Sequence, residues 1–270
     1  MSRPPVRIGA VSYLNSRPLV VGLEAYPDRF AVRYDVPSAC ARLLHARETD
    51  VGLIPSIEYL RGDDYRMVPD CAVTSDGPVR SVAIFTSVPM ERVTSLALDT
   101  SSRTSVALTR VLSKHYFDIR PRLIDHPPVL DEMVRLADGA LLIGEPALFA
   151  DYERLGLEKV DLGQVWKDFT GLPFVYACWT GHPDALTPDD VAMLQDARAR
   201  GVAGADEVAA RFFPDDPVRA AEGAKYLREN IHFRLGPREI AGLERFYELA
   251  AATGVVPRTQ PLRWYDAPGA

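Results

Sequence analysis

Cysteine is scarce in this chain of 270 residues: Cys40, Cys71 and Cys178 stand far apart and form no C-x-x-C pair. A disulfide scaffold is excluded, and so is the ligand spacing of a zinc or iron–sulfur site. The five histidines (His45, His115, His126, His182, His232) are equally isolated. No basic excess exists: the net charge is -6 with both signs interspersed, so the cationic face of a nucleic-acid binder is missing. No apolar run approaches the roughly 20 residues of a membrane span. The opening residues lack an apolar h-region before Ser12 and Asn15, and do not read as a secretory signal. A reducing, cytoplasmic compartment is the expectation. The glycine patterns that cradle phosphates or dinucleotides are absent, as are H-E-x-x-H and G-x-S-x-G. A metal, a nucleotide and a serine triad are all disfavoured.

What is present describes an ordinary globular chain, 47% apolar and 25% charged. At this length folding buries roughly 75% of the unfolded surface, enough for one or two domains. The apolar pattern predicts a buried strand over residues 6–11, a polar loop over 12–17 and a helix opened by Pro18 that runs to Glu24. A strand over residues 30–36 follows, then a helix starting at Pro37-Ser38 with Ser38 as N-cap. A strand over residues 50–54 is closed by Pro55-Ser56, with a short helix behind it. A similar order then recurs: strand 95–98, polar loop 99–103, helix 104–117, strand 120–124, helix 129–136, strand 141–143 and the turn Gly144-Glu145-Pro146. Shifting the numbering by 88 lays Ile8 on Leu96, Ser12 on Thr100, Asn15 on Arg103 and Asp50 on Asp138.

Strands alternating with helices imply parallel sheets with helices on both faces, and two such units imply two α/β lobes. Residues 80–85 and 174–179 read as crossovers between them. Residues 188–213, 217–230 and 237–252 read as helices that pack back on the first lobe. The expected division puts residues 1–85 and 180–270 in lobe 1 and residues 86–179 in lobe 2.

Polar residues gather where strands hand over to helices: Ser12, Tyr13, Asn15, Ser16 and Arg17; Ser38; Ser56; Ser101, Ser102, Arg103, Thr104 and Ser105; Gly144 and Glu145. In open α/β sheets ligands bind beyond the carboxyl ends of the strands, where helix N-termini offer N–H groups and a positive dipole end. Such an assembly suits the carboxylates of a small anion. Any one of these residues alone also suits plain helix capping; their recurrence at matching places in two lobes favours a binding site. The aromatic run at residues 166–174 either walls a ring-binding pocket or covers the core.

Val11-Ser12-Tyr13-Leu14-Asn15-Ser16-Arg17-Pro18-Leu19 resembles the opening signature of the futalosine-pathway enzymes of menaquinone biosynthesis. Asp50-Val51-Gly52-Leu53-Ile54-Pro55-Ser56, residues 99–105, Ile143-Gly144-Glu145-Pro146-Ala147 and residues 166–173 agree, in the same order. Together they are similar to the chorismate dehydratase family. The resemblance implies a type 2 periplasmic-binding-protein fold, with two lobes and a central ligand cleft, used as a cofactor-free enzyme. A sister family, the 1,4-dihydroxy-6-naphthoate synthases, is expected to carry a histidine base in an Ile-His-Glu context. Ile143-Gly144-Glu145 departs from that and favours the dehydratase. The sister's Ser/Thr positions would fall near residues 54–56 and on Thr104-Ser105.

The implied reaction takes chorismate to 3-[(1-carboxyvinyl)oxy]benzoate and water. Asn15 is expected to hydrogen-bond the substrate near its reacting carbons. Ser56, Thr104 and Ser105 are expected to bind a carboxylate, with Ser87 on the crossover as a further candidate and Arg17 or Arg103 as charge partners. Tyr13, Ser38, Gly144, Phe169 and Pro173 complete the expected substrate contacts. Glu145, Tyr13 and the substrate's own enolpyruvyl carboxylate are the alternatives for the proton acceptor. The expected partner is a small dicarboxylate, and the expected state is a monomer or homodimer. Two rival readings share the fold: a non-catalytic binding protein for a small anionic ligand, and the sensing domain of a regulator.

Overall fold

Val51–Pro55, Val82–Thr86, Ser95–Asp99 and Gly139–Ile143 are buried at every position, as strands are when both faces of their sheet are covered. They form the centre of two sheets in the computed structural model, which describes residues 3–267. In chain order, the first elements are β1 (Val6–Val11), β2 (Phe30–Asp35), α1 (Pro37–His45), β3 (Val51–Pro55) and β4 (Arg66–Ser75). Next come β5 (Val82–Thr86), β6 (Ser95–Asp99), α2 (Thr104–His115), β7 (Arg122–His126), α3 (Leu130–Leu136), β8 (Gly139–Ile143) and α4 (Gly144–Leu148). They are followed by β9 (Glu158–Asp161), α5 (Leu162–Thr170), β10 (Phe174–Gly181), α6 (Pro188–Ala203), α7 (Ala205–Phe212), α8 (Pro217–Glu229) and α9 (Pro237–Thr253).

The chain forms two compact units. Unit 1 takes the residues up to Thr74, Val175–Pro237 and those from Gln260 on; unit 2 takes Ser75–Phe174 and Arg238–Thr259. The sheet of unit 1 has the order β2-β1-β3-β10-β4. β1 runs parallel to β2 and β3, and β10 runs antiparallel to β3. The sheet of unit 2 has the order β7-β6-β8-β5-β9. There β6 runs parallel to β7 and β8, and β5 runs antiparallel to both β8 and β9.

The two sheets repeat one plan, and the sequence echo has a physical cause. Asp50 Oδ2 accepts the Arg7 backbone N–H at 2.8 Å, and Asp138 Oδ2 accepts the Ser95 N–H at 3.0 Å. Each acid precedes the third strand of its half and clasps the start of the first. The sheet register matches too, Ile8 pairing with Val51 and Leu96 with Gly139.

Several expectations are corrected. The sheets are mixed, because the segments expected as crossovers are their antiparallel strands β5 and β10. β5 therefore belongs to unit 2 and β10 from Val175 on to unit 1, the reverse of the expected division. α9 packs in unit 2, where Phe246 meets Trp166 and Phe174 at ring-centroid distances of 6.0 and 4.9 Å. Residues 188–213 make two helices, α6 and α7. Leu14–Val20 is a 3-10 turn with Pro18 inside it, in place of a loop and a helix starting at Pro18. α1 is capped by Val36 with Pro37 in its first turn and no side-chain cap bond, so Ser38 is not the N-cap.

Candidate functional site

At the carboxyl edge of the parallel strands in unit 1 the Ser12 N–H donates to the Asp35 carbonyl at 2.9 Å and the chain turns into Leu14–Val20. Three helices fix this turn. Gly201 of α6 lies so close to Pro18 that a Cβ would overlap the Pro18 carbonyl, and Gly223 of α8 leaves room for fully buried Leu14. Arg17 stacks its guanidinium 4.1 Å from the Tyr34 ring centroid and 5.3 Å from that of Phe212 on α7. It also donates to the Ser12 carbonyl at 3.1 Å. Arg17 was expected to face a carboxylate; here it clasps the loop. Within that frame Asn15 is half-buried. Ser16 Oγ donates to its Oδ1 at 3.2 Å, and among the described residues nothing accepts from its amide N–H pair, which stays available as a donor.

Ser56 follows β3 at the same edge and is fully buried. Its hydroxyl donates to the Val175 carbonyl at 2.7 Å, so its single proton joins β3 to β10 and is not offered to a ligand carboxylate. Ser38 is half-buried in the first turn of α1. Behind Ser56, buried Glu58 meets His45 Nε2 at 2.8 Å, and His45 Nδ1 meets the Tyr65 hydroxyl at 2.8 Å. This network joins three segments of unit 1, and histidine spacing alone gives no sign of it.

The edge of unit 2 is built likewise. Arg103 occupies the N-cap position of α2, with Thr104 and Ser105 buried in its first turn. Ser102 Oγ accepts the Ser105 N–H at 3.2 Å. Gly144 adopts φ 65, a left-handed conformation that glycine takes without Cβ strain, and its N–H donates to the Ser81 carbonyl at 2.9 Å. Glu145 follows, half-buried in the first turn of α4. The expected Ser12, Asn15 and Ser56 thus share one edge of unit 1, and Thr104, Ser105, Gly144 and Glu145 one edge of unit 2.

Ser87 does not share it. Because β5 is antiparallel, its end pairs with the beginning of β8, Thr86 opposite Gly139, and exposed Ser87 donates to the Asp138 carbonyl at the far edge. The start of β5 reaches the near edge, which brings buried Ser81 beside Gly144. Reading β5 as antiparallel would have pointed to Ser81. Phe169 and Pro173 are engaged in packing: residues 162–170 are a helix, fully buried Trp166 donates to the Pro173 carbonyl at 3.1 Å, and Phe169 packs on Tyr116 and Trp166. This aromatic run serves the core of unit 2. Burial pushes the Cys40 and Cys71 thiols up to about 12 and that of Cys178 up to about 11, which disqualifies them as nucleophiles near neutral pH. Among the described residues no group of three or more His, Cys, Asp or Glu side chains could hold a metal ion, and no helix is long and apolar enough to cross a membrane.

Two mixed α/β sheets of one plan, with small polar residues where strand gives way to helix, define the periplasmic-binding-protein fold. A protein from Archaeoglobus fulgidus matches with a TM-score of 0.75 at 17% identity, over 93% of this chain and 98% of its own. A Candida albicans protein described as having the generic periplasmic binding protein fold matches at 0.67 with 13% identity, over 96% and 92%. The periplasmic aliphatic sulphonate binding protein of Escherichia coli matches at 0.66 with 14% identity, over 100% and 96%. The chain belongs to the menaquinone biosynthesis family, whose model matches residues 6–252. A chorismate dehydratase of Thermus thermophilus is 33% identical over 222 residues, 76% of this chain and 80% of that protein. A chorismate dehydratase of Campylobacter jejuni is 31% identical over 175 residues, 63% of this chain and 64% of that protein.

Proposed function

We propose that this chain is a hydro-lyase that dehydrates chorismate to 3-[(1-carboxyvinyl)oxy]benzoate in the futalosine route to menaquinone. The observation that carries the reading is the 33% identity to the Thermus thermophilus chorismate dehydratase across 76% of the chain. The geometry of the edges suits the chemistry. A ring C–H bond breaks, its electron pair spreads onto the ring carboxylate, and the ring hydroxyl leaves with the proton as water. One C–H and one C–O bond are lost, an O–H bond and an aromatic ring are gained, and the oxidation state is unchanged. The reaction therefore needs no redox cofactor. Fixed donors placed where the negative charge grows lower the barrier, and holding the leaving hydroxyl in line is a positioning task.

The proposal gives Asn15 the contact with the substrate near its reacting carbons, through its amide N–H pair. Thr104 and Ser105, in the first turn of α2, bind a carboxylate with Arg103. Tyr13 and Gly144 line the reacting ring, Glu145 or the enolpyruvyl carboxylate takes the proton, and Arg17 and Ser56 hold their segments in place. Glu145→Gln tests the first acceptor: an altered pH–rate profile assigns Glu145, and an unchanged one eliminates it, leaving the substrate carboxylate and Tyr13. The reading takes the enzyme as cytoplasmic and as a monomer or homodimer. Its test is incubation with chorismate followed by mass spectrometry, with loss of one water and a new aromatic absorbance as the expected result. Saturable binding with chorismate recovered intact would establish a non-catalytic anion binder instead.

A further inference from the structure

Asp99 ends β6 and has no exposed surface. Its Oδ1 accepts twice from Ser101, from the backbone N–H at 2.8 Å and from the hydroxyl at 2.6 Å. Its Oδ2 accepts from the Ile143 N–H at 3.3 Å. Among the described residues no cationic side chain reaches it, and burial raises its pKa above the ordinary carboxylate value despite those three bonds. A buried carboxylate without a cation works against stability. The fold does not ask for one at this position. In unit 1 the last residue of the equivalent strand is Val11, paired with Asp35 as Asp99 is paired with His126, and Val11 is fully buried and apolar. What the carboxylate adds in unit 2 is a tie between two segments that a valine cannot make. It fixes the loop entering α2, and it holds Ile143, the residue before Gly144-Glu145.

We propose that Asp99 is a positioning residue of the reaction: through Ser101 and Ile143 it sets Thr104-Ser105 and Gly144-Glu145 in a single arrangement without touching the substrate. The inference rests on the dehydratase reading and adds to it a residue outside the expected site. Asp99→Asn keeps the volume and one acceptor oxygen but turns an N–H toward the Ile143 N–H. The variant should fold with a Tm within about 4 °C of wild type, a shift of the size expected for one weak bond. Its kcat/KM for chorismate should fall at least tenfold, with KM rising. Amide exchange, followed without substrate, should accelerate at Ser101 and Ile143 together. A folded Asp99→Asn with kcat/KM within twofold of wild type overturns the proposal, and so does exchange left unchanged at either amide. Should Asp99→Asn fail to fold, Ser101→Ala, which removes only the hydroxyl donor, carries the kcat/KM comparison, with exchange read at Ser101 alone. A wild-type protein inert toward chorismate defeats the dehydratase reading itself, and the exchange measurement still decides whether Asp99 couples the two segments.

Discussion

Asn15 is the residue on which chemistry and fold separate most cleanly. Leu14, Pro18 and Leu19 around it are buried and hold the turn, whereas Asn15 is half-buried and touches the turn through the Ser16 hydroxyl. Removing a single donor aimed at developing charge typically costs 10²–10³-fold in kcat. Asn15→Ala should therefore lose about 10²-fold or more in kcat, while its thermal midpoint moves by only a few degrees, the scale set by one exposed-side hydrogen bond. Steady-state kinetics and a melting curve on the same preparation check both halves. A variant with near-normal turnover removes Asn15 from the mechanism. Ser56 and Arg17 should behave the opposite way, since their polar atoms are committed to Val175 and to the Ser12 carbonyl.

Among elements, α6 and the Leu14–Val20 turn lean on each other through a glycine. A Cβ at Gly201 would overlap the Pro18 backbone, which cannot swing aside. Forcing extra atoms into a packed contact costs roughly 1–3 kcal/mol. Gly201→Ala should lower the free energy of unfolding read from a urea titration by that amount and weaken turnover as well, because α6 would be displaced from the turn that carries Asn15. Unchanged stability would mean that the contact is not tight. At this scale the parallel strands and their helices were legible in the sequence, since β1, β3, β6 and β8 are short apolar runs bounded by turn residues. Strand direction was not legible, because an apolar run reads the same in either sense; the misplacement of Ser87 follows from that alone. β4 is not legible because Pro69 and Asp70, the latter at φ 56, interrupt its alternation, as suits an edge strand. β9, of sequence EKVD, is short and charged for the same reason. The site edges were legible wherever a strand hands over to a helix. The duties of Arg17 and Ser56 were not, because their partners Phe212 and Val175 lie far along the chain.

For the whole molecule, acid is the informative stress. Burial alone would raise Asp190, but the Thr187 N–H and hydroxyl and the Arg29 guanidinium together hold it below the ordinary value of 3.8. Burial likewise opposes the Arg7 bonds at Asp50, and those bonds prevail. At Asp138 the bonds from Thr94 and Ser95 lower the carboxyl directly. Each depressed group contributes stability that is complete above about pH 3.8 and is lost as pH falls through its lower folded-state value. Asp99 has the opposite sign, its contribution being lost as pH rises through its raised value. With Asp76, which the Lys167 and Arg238 bonds also hold below 3.8 against burial, four depressed carboxylates against one raised one predict a urea midpoint that falls as pH drops from about 4 to 2.5; a midpoint that rises over that interval refutes the balance. The family chemistry is tested more directly by one reaction. Purified protein, in buffer with a metal chelator, is mixed with chorismate, and the product is separated and weighed by mass. The account requires 3-[(1-carboxyvinyl)oxy]benzoate to appear with turnover, in step with the loss of chorismate. Chorismate that persists no faster to decay than in buffer alone would contradict it.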